Sequence, residues 1–298
     1  MQIAINTDFL GGTRSPKERL KAIAEAGFTH LHWCHHWCTD FFYSRSELTQ
    51  YAAWLREFGL QLLDVHGSAG DEKFWYSTEE YVRLAGVELV TNRIIMLREL
   101  GGTGSLIMHF PAVRDRAGFD PVPVMAQFEA VKRSMDSLMP VLEQYDVRMT
   151  VENLPSDTFE LIGRLMADYP EKYMGITYDS GHGNIAEGKG MERLEPWKNR
   201  LQALHLNDND GTKDQHQPPF YGTVDWRKMV KILSESPCAV RPLSFELSMC
   251  NTPFYEKELT VDQKPEKIRA FLADAYDRCA RVVKLFEQAA LEKSPASA

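Results

Sequence analysis

The sequence LHLNDNDGTKDQH at residues 204–216, followed by GTVDW at 222–226, joins a short apolar run, a polar loop and the start of a helix. The apolar run leads to His205, and the loop places Asp214 and His216 two residues apart. A carboxylate oxygen beside an imidazole is a donor set suited to a borderline divalent cation. Other apolar runs of the chain end in the same residue types, namely in Glu152, in Asp179 with His182, in Glu246, and in the pair His66 and His109.

Short apolar or β-branched runs alternate with amphipathic helical patterns along the whole chain. The runs predict eight strands, at Gln2–Asn6, His30–His36, Gln61–Gly67, Leu106–Pro111, Arg148–Asn153, Met174–Asp179, Gln202–Asn207 and Pro242–Leu247. The helical patterns predict helices near Pro16–Ala26, Arg45–Phe58, Thr78–Leu100, Pro123–Gln144, Thr158–Asp168, Met191–Asn199, Trp226–Ser234 and Glu266–Leu285.

Eight strand-then-helix units in unbroken alternation predict an α/β protein built as a single (β/α)8 TIM barrel, with its active site at the C-terminal face of the strands. A doubly wound open sheet is the alternative. It would usually have fewer units and often a G-x-G-x-x-G turn after its first strand, and residues 10–14 lack that spacing. We assign residues 1–291 to the barrel and 292–298 to a flexible C-terminal tail.

The composition is that of an ordinary globular protein, with 44% hydrophobic and 26% charged residues among 298. A formal net charge of -8 argues against a nucleic-acid-binding surface. Five cysteines do not form a disulfide framework, and the chain enters its first strand after Met1 and Gln2, without a signal segment. No apolar run approaches a membrane span in length. We therefore expect a cytoplasmic protein.

Four residues mark equivalent positions at the ends of the fifth to eighth predicted strands: Glu152, Asp179, His205 and Glu246. A single acidic residue at a strand end is more often a helix cap or a solvated loop residue than a ligand. The residues two positions earlier share the same strand face and are small, namely Thr150, Thr177, Ala203 and Ser244. Buried carboxylates need a counter-charge, so the pattern predicts one divalent cation held by the four.

Histidines and aromatic residues gather at the same predicted strand ends. The run CHHWC at residues 34–38 has none of the spacings of structural zinc sites, so we interpret it as pocket wall. Trp33, Trp37 and Phe110 are predicted to pack against a substrate. None of the nine histidines falls in a predicted helix.

Several motifs together resemble the xylose-isomerase-like TIM barrels, a superfamily of sugar and cyclitol isomerases, epimerases and dehydratases that also includes the endonuclease-IV-type abasic-site nucleases. The resemblance runs from the first strand to the last helix. The motifs are Val151-Glu152-Asn153, Tyr178-Asp179-Ser180-Gly181-His182, His205-Leu206-Asn207-Asp208, Asp214-Gln215-His216 and Phe245-Glu246.

The resemblance implies that Glu152, Asp179, His205 and Glu246 bind one divalent cation, with Mn²⁺ expected and Mg²⁺, Co²⁺ or Zn²⁺ as alternatives. It also implies that His182 contacts substrate oxygens. Gly211 stands where the ketose 3-epimerase branch usually has an arginine. The same ligands, with His182, His66, His109, Asp214 and His216, match the trinuclear zinc set of the nucleases. Asp214 and His216 are therefore assigned to a further metal or to the rim of the site.

The predicted function is a metal-dependent isomerase or epimerase of keto-sugars or cyclitols that works by proton transfer through an enediolate held at the cation. Glu152 and Glu246 would be the acid/base pair, and His182, His66, His109, Trp33, Trp37 and Phe110 would bind substrate. The alternatives are a dehydratase or lyase acting on an inosose or 3-oxo sugar, an abasic-site nuclease, and a metal-free binding barrel. The expected partner is a small sugar or cyclitol, with no nucleic acid and no membrane; a homo-oligomer stays open.

Overall fold

Short apolar runs form eight parallel strands in this computed structural model, which describes residues 1–11, 15–109, 124–155, 157–257 and 264–292. The strands are β1 (Ile3–Asn6), β2 (His30–Trp33), β3 (Gln61–His66), β4 (Ser105–His109), β5 (Arg148–Glu152), β6 (Met174–Asp179), β7 (Leu201–His205) and β8 (Leu243–Phe245). Consecutive strands pair from β1 to β7, and β8 pairs with β1. A bridge between Leu206 and Phe245 joins β8 to β7. The predicted single (β/α)8 TIM barrel is confirmed.

Amphipathic helices cover the outside of this barrel. Within the described ranges they are α1 (Lys17–Glu25), α2 (Arg45–Phe58), α3 (Glu80–Glu99), α4 (Val124–Tyr145), α5 (Glu160–Asp168), α6 (Ser180–Asn184), α7 (Gly190–Leu194), α8 (Trp226–Ser234) and α9 (Pro265–Leu291). Short 3₁₀ helices occupy Glu195–Arg200, Pro237–Val240 and Met249–Asn251. None of the helices in this part of the chain is long and apolar enough to cross a membrane.

Two helix predictions need correction. The predicted helix over 191–199 is the short α7 followed by a 3₁₀ turn, and the last helix runs on to Leu291 rather than ending at Leu285. The expectation that no histidine lies in a helix is wrong, because His182 belongs to α6. Asp179 accepts a hydrogen bond from the backbone N–H of His182 at 2.7 Å and so starts that helix directly at the strand end. Of the predicted tail, residues 293–298 lie outside the described residues.

The second strand is shorter than predicted and ends at Trp33. The Thr7 hydroxyl accepts the backbone N–H groups of both Cys34 and His35, at 3.0 and 3.2 Å, which turns the chain away from the sheet. His36 then adopts a left-handed φ of 59°. The residues predicted to extend this strand therefore form a turn above the barrel mouth.

Strand alternation separates an apolar outer face from a polar interior. Trp33 illustrates the outer face: it is 1% exposed, its ring centroid lies 5.0 Å from that of Tyr51 in α2, and its indole N–H donates to Tyr43. In the interior the Thr177 hydroxyl donates to that of Thr150 at 2.7 Å, both fully buried. Small polar side chains thus form a floor beneath the strand ends.

The side chain of Asn6 connects the first strand of the barrel with the segment that follows the last strand. The Asn6 side chain at the end of β1 donates to the Leu247 carbonyl at 3.1 Å and accepts the Leu247 N–H at 2.8 Å. The two residues are 241 positions apart in the chain. This reciprocal pair fixes the segment just after β8 against the end of β1.

Candidate metal centre and active site

The four predicted ligands come together at the C-terminal face of the barrel. Glu152, Asp179 and His205 end β5, β6 and β7, and Glu246 follows β8. One ligand atom of each lies within 4.8 Å of the others, and all four side chains are buried. Parallel register causes this convergence, since Asp179 is paired with His205 across β6 and β7. The set is therefore compact enough for one cation.

The donor atoms of this group fit a divalent cation. His205 Nδ1 lies 2.9 Å from a Glu152 oxygen and 3.0 Å from a Glu246 oxygen. Yet both carboxylate oxygens of Glu152 and both ring nitrogens of His205 are buried without an aligned hydrogen bond to any of the described residues. Buried polar atoms are normally satisfied, so the unpaired oxygens of Glu152 and a ring nitrogen of His205 are suited to bind a cation. Three carboxylates and one imidazole suit Mn²⁺, Mg²⁺, Co²⁺ or Zn²⁺.

The electrostatics of the group agree with that fit. Burial opposes the charge on Glu152, but the imidazoles of His205 and His109 outweigh it and hold the pKa of this carboxyl well below its usual range. Burial opposes a proton on His205 too, but Glu152 and Glu246 raise the pKa of this imidazole well above its ordinary value. A proton on His205 supplies one positive charge between two carboxylates, whereas a divalent cation would supply two and bind the neutral imidazole.

Two asparagines hold Asp179 in place. Asn207 donates to Asp179 Oδ2 at 2.8 Å, and Asn153 both accepts the Asp179 N–H at 2.8 Å and donates to its carbonyl at 3.0 Å. Burial raises the pKa of Asp179 to about 6. The sequence analysis did not predict that Asn153 and Asn207 position Asp179. The signal was present, because Asn153 directly follows Glu152 and Asn207 follows His205 by two residues.

A second group of candidate ligands lies toward β3 and β4. One ligand atom each of His66, His109 and Glu152 lies within 4.8 Å of the others. His66 Nδ1 lies 2.9 Å from the Gly67 carbonyl and donates to it, so Nε2 carries the lone pair; it faces His109 Nε2 at 3.2 Å. Burial, with His109 nearby, lowers the pKa of His66 to about 3. Two facing imidazole nitrogens beside a carboxylate could hold a further cation.

The Asp214–His216 pair lies at the rim of the same centre. Asp214 bridges two imidazoles, at 3.2 Å from His182 Nε2 and 2.9 Å from His216 Nε2. Asp179, His182 and His216 form a third ligand group within the same 4.8 Å limit. Because Asp179 also belongs to the first group, the rim residues are continuous with the central site.

The predicted aromatic wall is only partly at the site. The Trp37 ring lies 4.4 Å from that of His66 and 5.2 Å from that of His109, so Trp37 covers this pair. Trp33 does not line the pocket, because strand alternation turns it to the outer face of β2, against α2. Phe110, the third predicted wall residue, lies outside the described residues.

A buried aspartate anchors the loop that carries Asp214 and His216. Asp208 is fully buried and accepts the backbone N–H groups of Asn209, Phe220 and Val224 and the indole N–H of Trp226, at 2.8–3.0 Å. Gly222 packs closely against the same turn. A Cβ at this position would lie 2.0 Å from the Asn209 carbonyl oxygen, so the position requires glycine. Asp208 therefore fixes where the loop leaves the barrel and where it returns to α8.

We expect Asp208→Ala to lower the free energy of unfolding by about 3 kcal/mol, because it leaves several buried N–H donors without an acceptor. Urea denaturation followed by circular dichroism measures this change. The matched control is Asp210→Ala, an exposed aspartate in the same loop whose carboxylate accepts the backbone N–H and the hydroxyl of Thr212, two residues away. The control should stay within about 0.5 kcal/mol of wild type. Equal losses in both variants would contradict the anchoring role.

The protein is a (β/α)8 barrel, and its carboxylates and imidazoles are grouped at the C-terminal face. This is where barrel enzymes have their active sites, so the group is a candidate metal-dependent active site. Residues 20–280 match the family model described as xylose isomerase-like TIM barrel, and the chain belongs to this family.

Relatives and solved structures agree with this assignment. The Sinorhizobium fredii protein y4fM is 29% identical over 292 residues, covering 89% of this chain and 92% of that protein. A structure described as a D-tagatose 3-epimerase-like protein has a TM-score of 0.73 at 17% identity and covers 97% of this chain and 99% of its own. The 3-keto-D-glucoside 4-epimerase YcjR from E. coli has a TM-score of 0.68 at 17% identity, with 95% and 99% coverage. At these identities, the likeness to the solved structures shows a shared fold.

Proposed function

We propose that the protein is a divalent-metal-dependent isomerase or epimerase of keto-sugars or cyclitols that works by proton transfer. The observation that carries this proposal is the pair of buried carboxylates, Glu152 and Glu246, on either side of His205. Solved structures of the same fold that are named as sugar epimerases support it. The cation would be held by these three residues and Asp179, and we propose Mn²⁺ as its identity.

When bound, the cation would polarise a substrate carbonyl and so acidify the neighbouring C–H bond. One of Glu152 and Glu246 removes that α-proton to give an enediolate, and the other returns a proton to the neighbouring carbon or the opposite face. His182, which lies between Glu152 and Asp214, would orient a substrate hydroxyl. Trp37 supplies an apolar cover that excludes water.

Proton exchange tests this function directly. The purified protein, loaded with Mn²⁺, is incubated in D₂O with unphosphorylated ketoses, 3-oxo sugars and inososes, and the products are analysed by NMR and mass spectrometry. We expect deuterium on the carbon next to the carbonyl, because the enediolate is reprotonated from a carboxylate that exchanges with solvent. A product that is lighter than the substrate by one water molecule would identify the dehydratase variant of the same chemistry.

A product without solvent deuterium, together with a primary isotope effect for substrate labelled at the migrating hydrogen, would overturn proton transfer in favour of a hydride shift. Absence of any conversion or exchange across the panel would count against the sugar isomerase proposal as a whole.

The two further ligand groups, around His66 with His109 and around His182 with His216, favour a second candidate, metal-dependent phosphodiester hydrolysis at abasic DNA. A net charge of -8 weighs against it, because duplex binding depends on basic surface that neutralises phosphates. Incubation of the metal-loaded protein with an abasic-site duplex decides between the two: we expect the duplex to stay intact.

A further inference from the structure

A fourth group of candidate ligands lies on the opposite side of Glu246, toward β1 and β2. We propose that His32, Cys34 and Glu246 bind a second, softer divalent cation of the Zn²⁺ type, at a position separate from the oxygen-rich centre. One ligand atom of each of these three residues lies within 4.8 Å of the others, and all three are buried. Glu246 belongs to both groups and would bridge the two positions.

His32 is oriented as a ligating histidine usually is. Its Nδ1 lies 2.5 Å from Asp64 Oδ1, and the two side chains are 0% and 2% exposed. The other ring nitrogen, Nε2, is buried and has no hydrogen-bond partner among the described residues. Metal-bound histidines almost always give their second N–H to a carboxylate or carbonyl, which fixes the ring and leaves one nitrogen for the cation. Asp64 occupies that supporting position here.

Cys34 adds the ligand that distinguishes this position from the centre beside it. The Cys34 sulfur lies 3.8 Å from Glu246 Oε1, and the Cys34 backbone N–H donates to the Thr7 hydroxyl at 3.0 Å. A thiolate with an imidazole favours Zn²⁺ or Co²⁺ over Mg²⁺ or Mn²⁺, which prefer oxygen ligands. On binding, the thiol gives its proton to solvent and the thiolate becomes the ligand.

The spacing also explains why the sequence does not reveal this position. The run CHHWC pairs Cys34 with Cys38, but Cys38 is exposed, whereas Cys34 is buried. His32 lies in β2 and Cys34 directly follows its last residue, and one ligand atom of each lies within 4.8 Å of the other. Their partner Glu246 is 212 residues from Cys34 in the chain. Only barrel closure brings the three together.

Cobalt spectroscopy tests the proposal on the full-length protein after chelation and dialysis. Co²⁺ added to the wild type should produce the near-ultraviolet charge-transfer absorption of a cobalt thiolate. Cys34→Ser should abolish this band, and Cys38→Ser, the control four residues away, should keep it. Asp64→Asn should keep the band but raise the Co²⁺ concentration needed for half-saturation about 10–100-fold, because it weakens the support of His32.

No thiolate band in folded wild-type protein, or an unchanged band in Cys34→Ser, would overturn the proposal. So would an Asp64→Asn titration identical to that of wild type. Bound Mn²⁺, counted by electron paramagnetic resonance in the same preparations, reports the oxygen-rich centre separately. A protein that binds Mn²⁺ and exchanges sugar protons, but forms no cobalt thiolate, would refute this position and leave the proposed function standing.

Discussion

Glu152→Gln is expected to lower turnover about 10²–10⁴-fold, or roughly 3–5 kcal/mol in barrier height, while the protein keeps its divalent cation. The amide has the size of the carboxylate and keeps one oxygen donor toward the cation, but it cannot accept the α-proton. Steady-state rates on the sugar that exchanges in D₂O, with metal content measured on the same sample, give both quantities.

Glu99→Gln is the matched control. Glu99 is exposed at the C-terminal end of α3, which lies at the barrel face opposite the strand ends because helix and strand directions are antiparallel. Its turnover should equal that of wild type. A Glu152→Gln protein with full metal content and near-wild-type turnover would refute the two-carboxylate scheme.

His205→Ala is expected to remove the stabilisation that Mn²⁺ gives to the folded protein. A cation that binds only the folded state adds about 2.7 kcal/mol to the free energy of unfolding when its concentration is a hundred times the dissociation constant. His205 lies between Glu152 and Glu246 at 2.9 and 3.0 Å, so its loss opens the centre of the ligand set. Urea denaturation with and without Mn²⁺ measures the increment, and elemental analysis measures the bound metal.

His30→Ala is the control for this variant, because His30 begins β2 at the other end of the barrel. It can change the stability of the protein, but the increment due to Mn²⁺ should be that of wild type. Equal Mn²⁺ increments and equal metal content in wild type and His205→Ala would exclude His205 as a ligand.

Much of the fold was predictable because the barrel repeats one local pattern. Each apolar run is followed by a helical pattern. A strand that is buried on both faces consists of a short run of apolar or small residues, and such a run can be recognised in the sequence. The helix Trp226–Ser234 was predicted with its observed bounds. The end of β2 was not, because it depends on the Thr7 hydroxyl, which lies just after the neighbouring strand β1 and accepts from Cys34 and His35.

The candidate site was predictable to the extent that the proposed ligands end consecutive strands. Glu152, Asp179 and His205 are read directly from the ends of β5 to β7, since parallel strands bring those ends to one face. The orientation of Trp33 was missed because one residue of shift exchanges the two faces of a strand. The contact between His32 and Asp64 joins neighbouring strands, with a register shift in their pairing, and no local pattern encodes it.

The bond between Asn6 and Leu247 has a consequence for how the protein reaches its native state. During synthesis, β1 to β7 emerge before the segment that carries Glu246, so the partly made chain lacks the strand that closes the barrel. Contacts between residues 241 positions apart form late, because closing so long a loop costs entropy before it gains any contact. Glu246 follows the last strand, so the proposed ligand set becomes complete only at barrel closure. Cation uptake would then mark the final step of folding, and partly made chains would carry an unfinished site.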